Sequence, residues 1–214
     1  MHLWIRSEVR NFEKRVGITP NAVLELISKG FEVTVEESNS RALPIKEYRN
    51  AGANIVPSNS WPSAPDHAII FGLKELPENI ETLKHRHIMF GHAYKGQSGA
   101  SALLKRFKNG GGALYDLEYL LKKNGSRIAA FGYWAGFAGA AVSLKVWLHQ
   151  QNNKSPGPEN INIYAGRDEL IQDLVNEFDD KNINNLNKPN IIVIGGLGRV
   201  GKGAIELAKS LKIN

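Results

Sequence analysis

The sequence contains no cysteine among its 214 residues. This absence excludes disulfide bonds, thiolate metal sites and a cysteine nucleophile. It is also typical of a cytoplasmic protein, because reducing compartments do not maintain disulfide frameworks.

A long apolar run is missing as well. The most extended weakly polar stretch, residues 128–144, is rich in Ala and Gly and is followed directly by Lys145. It is shorter than the roughly 20 strongly apolar residues that span a bilayer, so it predicts a buried helix. The N-terminal residues, MHLWIRSEVR, lack the apolar core of a secretory signal.

The charge balance is basic, with 27 Lys and Arg against 21 Asp and Glu, a formal net charge of +6 and a pI near 9.4. The basic residues are spread along the chain and no nucleic-acid motif is present, so nucleic-acid binding is the least favoured interpretation. Two others remain open. One is a composition rich in lysine and asparagine, and the other is a polyanionic ligand that needs fixed cations in a cleft.

Short apolar runs alternate with helical patterns, which predicts an α/β fold. Strands are predicted at residues 2–6, 31–36, 53–56, 68–73, 87–90, 113–115 and 127–131, and helices at 19–30, 45–51, 99–108, 132–149 and 167–178. Gly132, Gly136 and Gly139 in the fourth helix are expected to allow close backbone packing. The polar segment at 151–159 resembles a linker or domain crossover.

Near the C-terminus a glycine motif follows an apolar run. Ile191–Ile194 predicts a parallel strand buried on both faces. Gly196, Gly198 and Gly201 then fit G-x-G-x-x-G before a helix from 202 to 211. In this motif the first glycine permits a tight turn, the second admits a pyrophosphate, and the third lets helix and strand pack closely. The alternative is a glycine-rich turn without a ligand.

Several charged segments stand beside predicted strands, and their order and wording resemble a known family. The segments are EKRVGITP (13–20), EYRNAGANIVPSNSW (47–61), IIFGLKELP (69–77), HIMFGHAYKGQSG (87–99), LYDLEYL (114–120), RIAAFGYWAGFAGAA (127–141) and IIVIGGLGRVGKGAIEL (191–207). This set resembles the lysine-forming saccharopine dehydrogenase family and, more distantly, alanine dehydrogenase and the transhydrogenase N-terminal domain. The resemblance runs through nearly the whole chain.

The resemblance implies oxidation of saccharopine to lysine and 2-oxoglutarate with NAD, or the reverse, in lysine metabolism. In this family a lysine and a histidine provide the base and activate water, and these roles fall on Lys74 and His92. The substrate-binding set implied here is Arg15, Lys95, Arg127 and Glu118. Nearby cations are expected to lower the pKa of Lys74 and to hold substrate carboxylates, and Glu118 is expected to tune Lys74.

The cofactor-binding set implied by the motif is Gly196, Leu197, Gly198, Arg199, Val200 and Gly201. The acidic residue that selects NAD over NADP is expected about 20 residues after the motif, beyond Asn214. The resemblance implies NAD. We expect no metal, no nucleic-acid or membrane partner, and a cytoplasmic monomer that acts on small molecules.

The expected architecture is two Rossmann-like domains. Residues 1–132 form the substrate and catalytic domain, 133–150 a crossover helix, and 151–214 the start of the dinucleotide-binding domain. The resembling enzymes are longer, so we expect this second domain to be incomplete after its first βα unit and the chain alone to have weak or no activity. Two alternatives remain, an amino-acid dehydrogenase of the alanine dehydrogenase type and a non-catalytic ligand-binding module.

Overall fold

The structure, a computed structural model, describes residues 1–151, 156–164, 166–179 and 188–213. The described helices and strands form two compact units, Met1–Ala129 and Ala130–Asn214. In chain order the elements are β1 (His2–Ile5), α1 (Pro20–Ser28), β2 (Glu32–Glu36), α2 (Ile45–Asn50), β3 (Asn54–Val56), β4 (Ile69–Phe71), β5 (Arg86–Met89), α3 (Ala100–Gly110), β6 (Ala113–Asp116), α4 (Tyr133–Gln151), α5 (Arg167–Phe178) and α6 (Arg199–Ser210). Single 3₁₀ turns lie at Trp61–Ser63 and Leu117–Tyr119.

The first unit is a six-stranded parallel sheet in the order β3-β2-β1-β4-β5-β6. This is the doubly wound order of a Rossmann-like fold, and it confirms the predicted α/β class. The order reverses between β1 and β4. In such sheets ligands bind outside the carboxyl ends of the strands at this reversal, so the topology itself indicates where to look for a site.

The sheet is buried on both faces, as expected of parallel strands. Alternate side chains of one strand enter different cores, because successive residues of a strand point to opposite faces. Leu3 and Ile5 join Val23 of α1 and Tyr48 of α2 in the first core. The second core, on the other face, contains Trp4, Trp61, Ile70, Leu83, Met89 and Phe107.

The predicted boundaries of the first helix are confirmed. Thr19 is the N-cap residue of α1, and its hydroxyl accepts the amide N–H of Ala22 at 3.3 Å. Pro20 occupies the first helical position, where its missing N–H is not needed. Gly30, with φ of +83°, then permits the left-handed turn that leads into β2.

The second unit has a core formed by α4, α5 and α6. Helices α4 and α6 approach at their backbones, because a Cβ atom at Gly136 would overlap the Val200 carbonyl and one at Gly203 would overlap the Tyr133 carbonyl. The packing expected of Gly136 is therefore confirmed. The same expectation is wrong for Gly139, where an added Cβ would meet open space.

Two predicted strands are absent. Residues 127–131 form no strand, since Arg127 makes only an isolated antiparallel bridge to Leu121 and the segment folds back on residues 120–122. Residues 191–194 form none either, and Ile192 and Ile194 are 90% and 97% exposed. A parallel strand needs a neighbour for its N–H and C=O groups, and among the described residues none pairs with this segment.

The predicted domain boundaries at 132 and 150 stay predictions, although α4 packs with the second unit. Part of the predicted linker, residues 152–155, lies outside the described residues. Within the described part of the chain, no helix is both long enough and apolar enough to cross a membrane.

Candidate active site

Lys74 and His92 follow neighbouring strands at the carboxyl edge of the sheet. The ladder between β4 and β5 continues past the strand ends, with the Gly72 amide donating to Ile88 O at 3.0 Å and the Phe90 amide to Leu73 O at 3.3 Å. The two segments therefore run side by side up to the predicted catalytic residues. This placement is close to the reversal point between β1 and β4.

The segment that carries Lys74 is held through its backbone. The Glu8 carboxylate accepts the amide N–H of Leu73 at 2.6 Å and that of Lys74 at 3.0 Å. The Arg6 guanidinium donates to the Lys74 carbonyl and lies 3.4 Å from Glu8. Burial lowers the pKa of Arg6, opposed by the charges of Glu8 and Glu36. An adjacent glycine, Gly72, makes room for this guanidinium.

His92 has a left-handed backbone, with φ of +48°, which is uncommon for a residue other than glycine. Its Nδ1 atom lies 3.9 Å from Glu118 Oε2, and the side chain is 42% exposed. The residue also borders a cavity of about 510 Å³ that Glu75, Phe90, Ser98 and Arg106 help to line. Small-molecule sites span roughly 300–1,000 Å³, so a substrate could reach the imidazole there.

Glu118 joins two of the predicted substrate-binding cations to His92. Its Oε1 atom accepts Lys95 Nζ at 2.6 Å and lies 3.1 Å from Arg127 Nη1. The hydrogen bond from Lys95 is the largest effect that holds the pKa of Glu118 below its usual value, and Arg127 and His92 contribute. Its own amide is held by Asp116, which also accepts the Gly91 amide and so links this turn to the His92 segment.

Arg15 is held by Glu13. The guanidinium donates two hydrogen bonds to that carboxylate, at 2.7 and 2.6 Å. This bidentate contact is the largest effect that lowers the pKa of Glu13, and the charge of Lys74 contributes to the same direction. The acidic group that the structure places in the electrostatic environment of Lys74 is thus Glu13, whereas the contacts of Glu118 are with Lys95, Arg127 and His92.

Sequence reasoning missed the buried polar groups beneath the site. Arg6 follows β1, and Glu36 ends β2. Glu36 is fully buried and accepts five hydrogen bonds, from Trp4 Nε1, the Ser7 amide, the Ser7 hydroxyl, and the amides of Asn59 and Trp61. The signal was available, because a charged residue at a strand end is the pattern that drew attention to Lys74.

The glycine motif of the second unit forms a turn that leads into α6. The Gly198 amide donates to Gly195 O at 2.9 Å, and Gly198 is the N-cap residue of α6. The left-handed conformation falls at Gly195, with φ of +79°, so assigning the tight turn to Gly196 is wrong. The close packing expected of Gly201 is confirmed, because a Cβ there would come 2.6 Å from Gly196 Cα.

This turn fits the pyrophosphate of a dinucleotide. Gly198 provides no side-chain acceptor for the first-turn N–H groups of α6, and the positive end of the helix dipole faces the turn. Leu197 is 95% exposed, so its side chain does not close the approach. Gly198 itself would bring a Cβ to 3.2 Å from the Gly195 carbonyl.

Residues 4–138 match the family model described as the alanine dehydrogenase/PNT N-terminal domain. The chain belongs to this family. Among curated relatives it is 46% identical to "Saccharopine dehydrogenase [NAD(+), L-lysine-forming]" of Candida glabrata, covering 98% of this chain and 57% of the relative. The relative of the same name in Schizosaccharomyces pombe is 44% identical and is covered to 58% of its length. The chain therefore spans a little over half the length of these relatives.

Solved structures of the same family share the fold. An L-alanine dehydrogenase superposes with a TM-score of 0.61 at 18% identity, covering all of this chain and 53% of that one. A transhydrogenase from Sinorhizobium meliloti gives 0.61 at 19% identity, covering 99% and 56%. Both likenesses agree with the parallel sheet order described above.

Proposed function

We propose that this chain forms the catalytic part of an NAD-dependent saccharopine dehydrogenase, which converts saccharopine, NAD⁺ and water to L-lysine, 2-oxoglutarate, NADH and a proton, or the reverse. The observation that carries the proposal is the placement of Lys74 and His92 at the ends of adjacent strands, beside clustered cations. The 42–46% identity to relatives of this name supports the substrate.

The proposed chemistry begins with proton removal. Lys74 takes the proton from the secondary amine of saccharopine. Bound NAD⁺ supplies the acceptor for the hydride that leaves the carbon next to this nitrogen. His92 then removes a proton from the water that adds to the resulting C=N bond, and the C–N bond of the carbinolamine breaks to release lysine. General acid–base catalysis by two positioned groups suits these steps, since protons move in each of them.

Binding of a substrate with three carboxylates is assigned to Arg15, Lys95 and Arg127. About half of the Arg15 and Lys95 side chains and 38% of Arg127 are exposed, although each faces a carboxylate of the protein. Glu13 and Glu118 thus hold the cations in place while leaving part of each side chain accessible. A substrate carboxylate can then join or replace these contacts, which arginine can make bidentately.

The cofactor is assigned to the second unit. We propose that Gly196, Leu197, Gly198, Arg199, Val200 and Gly201 hold the pyrophosphate of NAD at the start of α6. The open turn and the helix N-terminus support this assignment. The absence of cysteine supports a cytoplasmic location in lysine metabolism. A monomeric state stays a prediction.

The test is NADH consumption with L-lysine and 2-oxoglutarate. It should be run on this chain and on a chimera that continues after Leu211 with the remaining C-terminal part of the Candida glabrata relative. We expect turnover by the chimera and a loss of roughly 10²–10⁴-fold in Lys74→Met and His92→Gln, the range that general acid–base groups contribute. Lys84→Met and His149→Gln are the matched controls, because neither residue lies in the proposed site.

The outcomes separate the candidate reactions. Turnover with pyruvate and ammonia, and none with lysine and 2-oxoglutarate, would reassign the chain to an alanine dehydrogenase type of reaction. Ligand binding without NADH consumption in the chimera would favour a non-catalytic binding module. Equal losses in the control variants would show that Lys74 and His92 are not special.

A further inference from the structure

Three potential metal ligands meet at the amino edge of the sheet, opposite the edge that carries Lys74 and His92. His2 begins β1, Glu32 begins β2, and His67 stands two residues before β4. One ring nitrogen of each histidine and one carboxylate oxygen of Glu32 lie within 4.8 Å of one another. We propose that these three side chains bind a divalent transition-metal ion, with Zn²⁺ as the best match.

The fold explains why these residues meet although they are 30 and 65 positions apart. β1 lies between β2 and β4, and all three strands run in the same direction. His2 pairs in register with Glu32, so their side chains project from the same face of the sheet at neighbouring positions. His67 arrives at the other side of β1, where its ring lies 5.9 Å from the His2 ring.

The His2 imidazole is held in a fixed position. The ring is 4% exposed, and its Nε2 atom lies 2.8 Å from the Thr34 hydroxyl and 3.7 Å from Glu32 Oε1. Its Nδ1 atom is buried and has no hydrogen-bond partner among the described residues. A ring oriented by a neighbouring polar group, with a nitrogen lone pair to offer, is the usual state of a metal-ligating histidine.

The ligand chemistry selects the class of ion. Two imidazoles and one carboxylate are a recognised set for Zn²⁺, which completes its coordination with water. Imidazole also suits Co²⁺, Ni²⁺ and Cu²⁺, whereas Mg²⁺ and Ca²⁺ prefer sites built from oxygen ligands only. Glu32 and His67 are exposed, so an ion can enter from solvent. The bound ion would join the starts of the three central strands.

The site is separate from the proposed catalytic residues. Four residues of β1 separate His2 from the carboxyl edge, which corresponds to roughly 13 Å at the usual rise of a strand. Metal binding is therefore expected to act on the stability of the sheet and to leave the chemistry at Lys74 and His92 unchanged. This inference does not depend on the proposed dehydrogenase activity.

The test is a titration of the untagged 214-residue chain, which keeps the natural residues before and after His2 and introduces no tag histidines. Isothermal calorimetry should give one Zn²⁺ per chain, and Co²⁺ should give a visible absorption band from the bound ion. At free Zn²⁺ about 100 times the Kd, the Tm should rise by roughly 5–10 °C. Mg²⁺ and Ca²⁺ should leave the Tm unchanged.

The variants His67→Gln and Glu32→Gln carry the test, because both side chains are exposed and neither change disturbs the core. Each should weaken Zn²⁺ binding by at least about 100-fold, since loss of a ligand exceeds the roughly 10–100-fold effect of losing an outer-shell partner. His2→Gln should do the same but can also disturb folding. His92→Gln is the control for the other histidine–carboxylate pair of the first unit, and it should bind Zn²⁺ as the parent does.

Two results would overturn the proposal. The first is binding weaker than about 100 µM in the parent chain, which corresponds to a surface association below the affinity of built metal sites. The second is a Zn²⁺ affinity that His67→Gln and Glu32→Gln leave unchanged while His92→Gln lowers it, because the ion would then occupy the His92–Glu118 pair.

Discussion

The Glu8 carboxylate holds the backbone of Lys74 in place, accepting its amide N–H at 3.0 Å across 66 residues of sequence. The second oxygen of the same carboxylate accepts the Leu73 amide. Because the side chain of Glu8 is only 10% exposed, water cannot easily replace it as the acceptor. The position of the proposed base therefore depends on a residue from the loop after β1.

Replacing Glu8 should destabilise the first unit. Glu8→Ala leaves two partly buried amides and the Arg6 guanidinium without their carboxylate, and we expect a loss of about 2–3 kcal/mol in the free energy of unfolding. Urea denaturation measures this change. Glu75→Ala is the control, because Glu75 is 56% exposed, pairs with Arg10 at 3.6 Å and should contribute at most about 0.5 kcal/mol. Equal effects of the two variants would contradict the prediction.

His87 should make the first unit sensitive to acid. Burial, followed by the charge of Arg6, lowers the pKa of His87 to about 3 from 6.5. The unfolded chain then binds a proton below pH 6.5 that the folded chain does not bind. Stability is fully present above pH 6.5 and falls by about 1.4 kcal/mol per pH unit as the pH drops from 6.5 toward 3.

The measurement for His87 is urea denaturation between pH 4 and pH 7. The ring packs edge-on against Trp61 at 5.0 Å and Phe107 at 5.4 Å, so His87→Leu keeps an apolar side chain in the same core. This variant should lose the part of the slope that His87 causes, whereas His149→Gln should keep it. An unchanged slope in His87→Leu would show that other groups titrate in this range.

Two glycines of α4 should respond in opposite directions to the same substitution. Gly136→Ala places a Cβ against the Val200 backbone, so α4 and α6 must separate, and we expect a loss of roughly 1–3 kcal/mol. Gly139→Ala points to open space and should stabilise the helix by about 0.5–1 kcal/mol. Thermal unfolding of both variants measures the difference. If Gly139→Ala is also destabilising, the described face of α4 is incorrect.

Gly201 should be required for dinucleotide binding. A Cβ there cannot be accommodated without moving the start of α6 away from the Gly195–Gly196 turn. In the chimera, Gly201→Ala should weaken NADH binding by at least about tenfold, measured by NADH fluorescence. Lys209→Ala, an exposed position on the same helix, controls for a general change in α6. Parent-like affinity of Gly201→Ala would remove the turn from the proposed cofactor site.

Local patterns in the sequence predicted most elements because those patterns arise within a few residues. Thr19 and Pro20 start α1 wherever it lies in the fold, and the short apolar runs at 68–73 and 87–90 become β4 and β5. Lys74 and His92 were noticed because each follows such a run. The pattern at 191–194 was a poorer guide, since a strand also requires a partner to pair with.

The sequence by itself determined the α/β class, the candidate catalytic residues and the glycine turn, since each is written in a local pattern or in the wording of a motif. Only the tertiary structure decided which distant residues meet. The pairing of β1 with both β2 and β4 brings Glu8 to Lys74 at one edge of the sheet, and His2 to Glu32 and His67 at the other. The physical reason is that strand order depends on the burial of both faces of the sheet, which no single segment specifies.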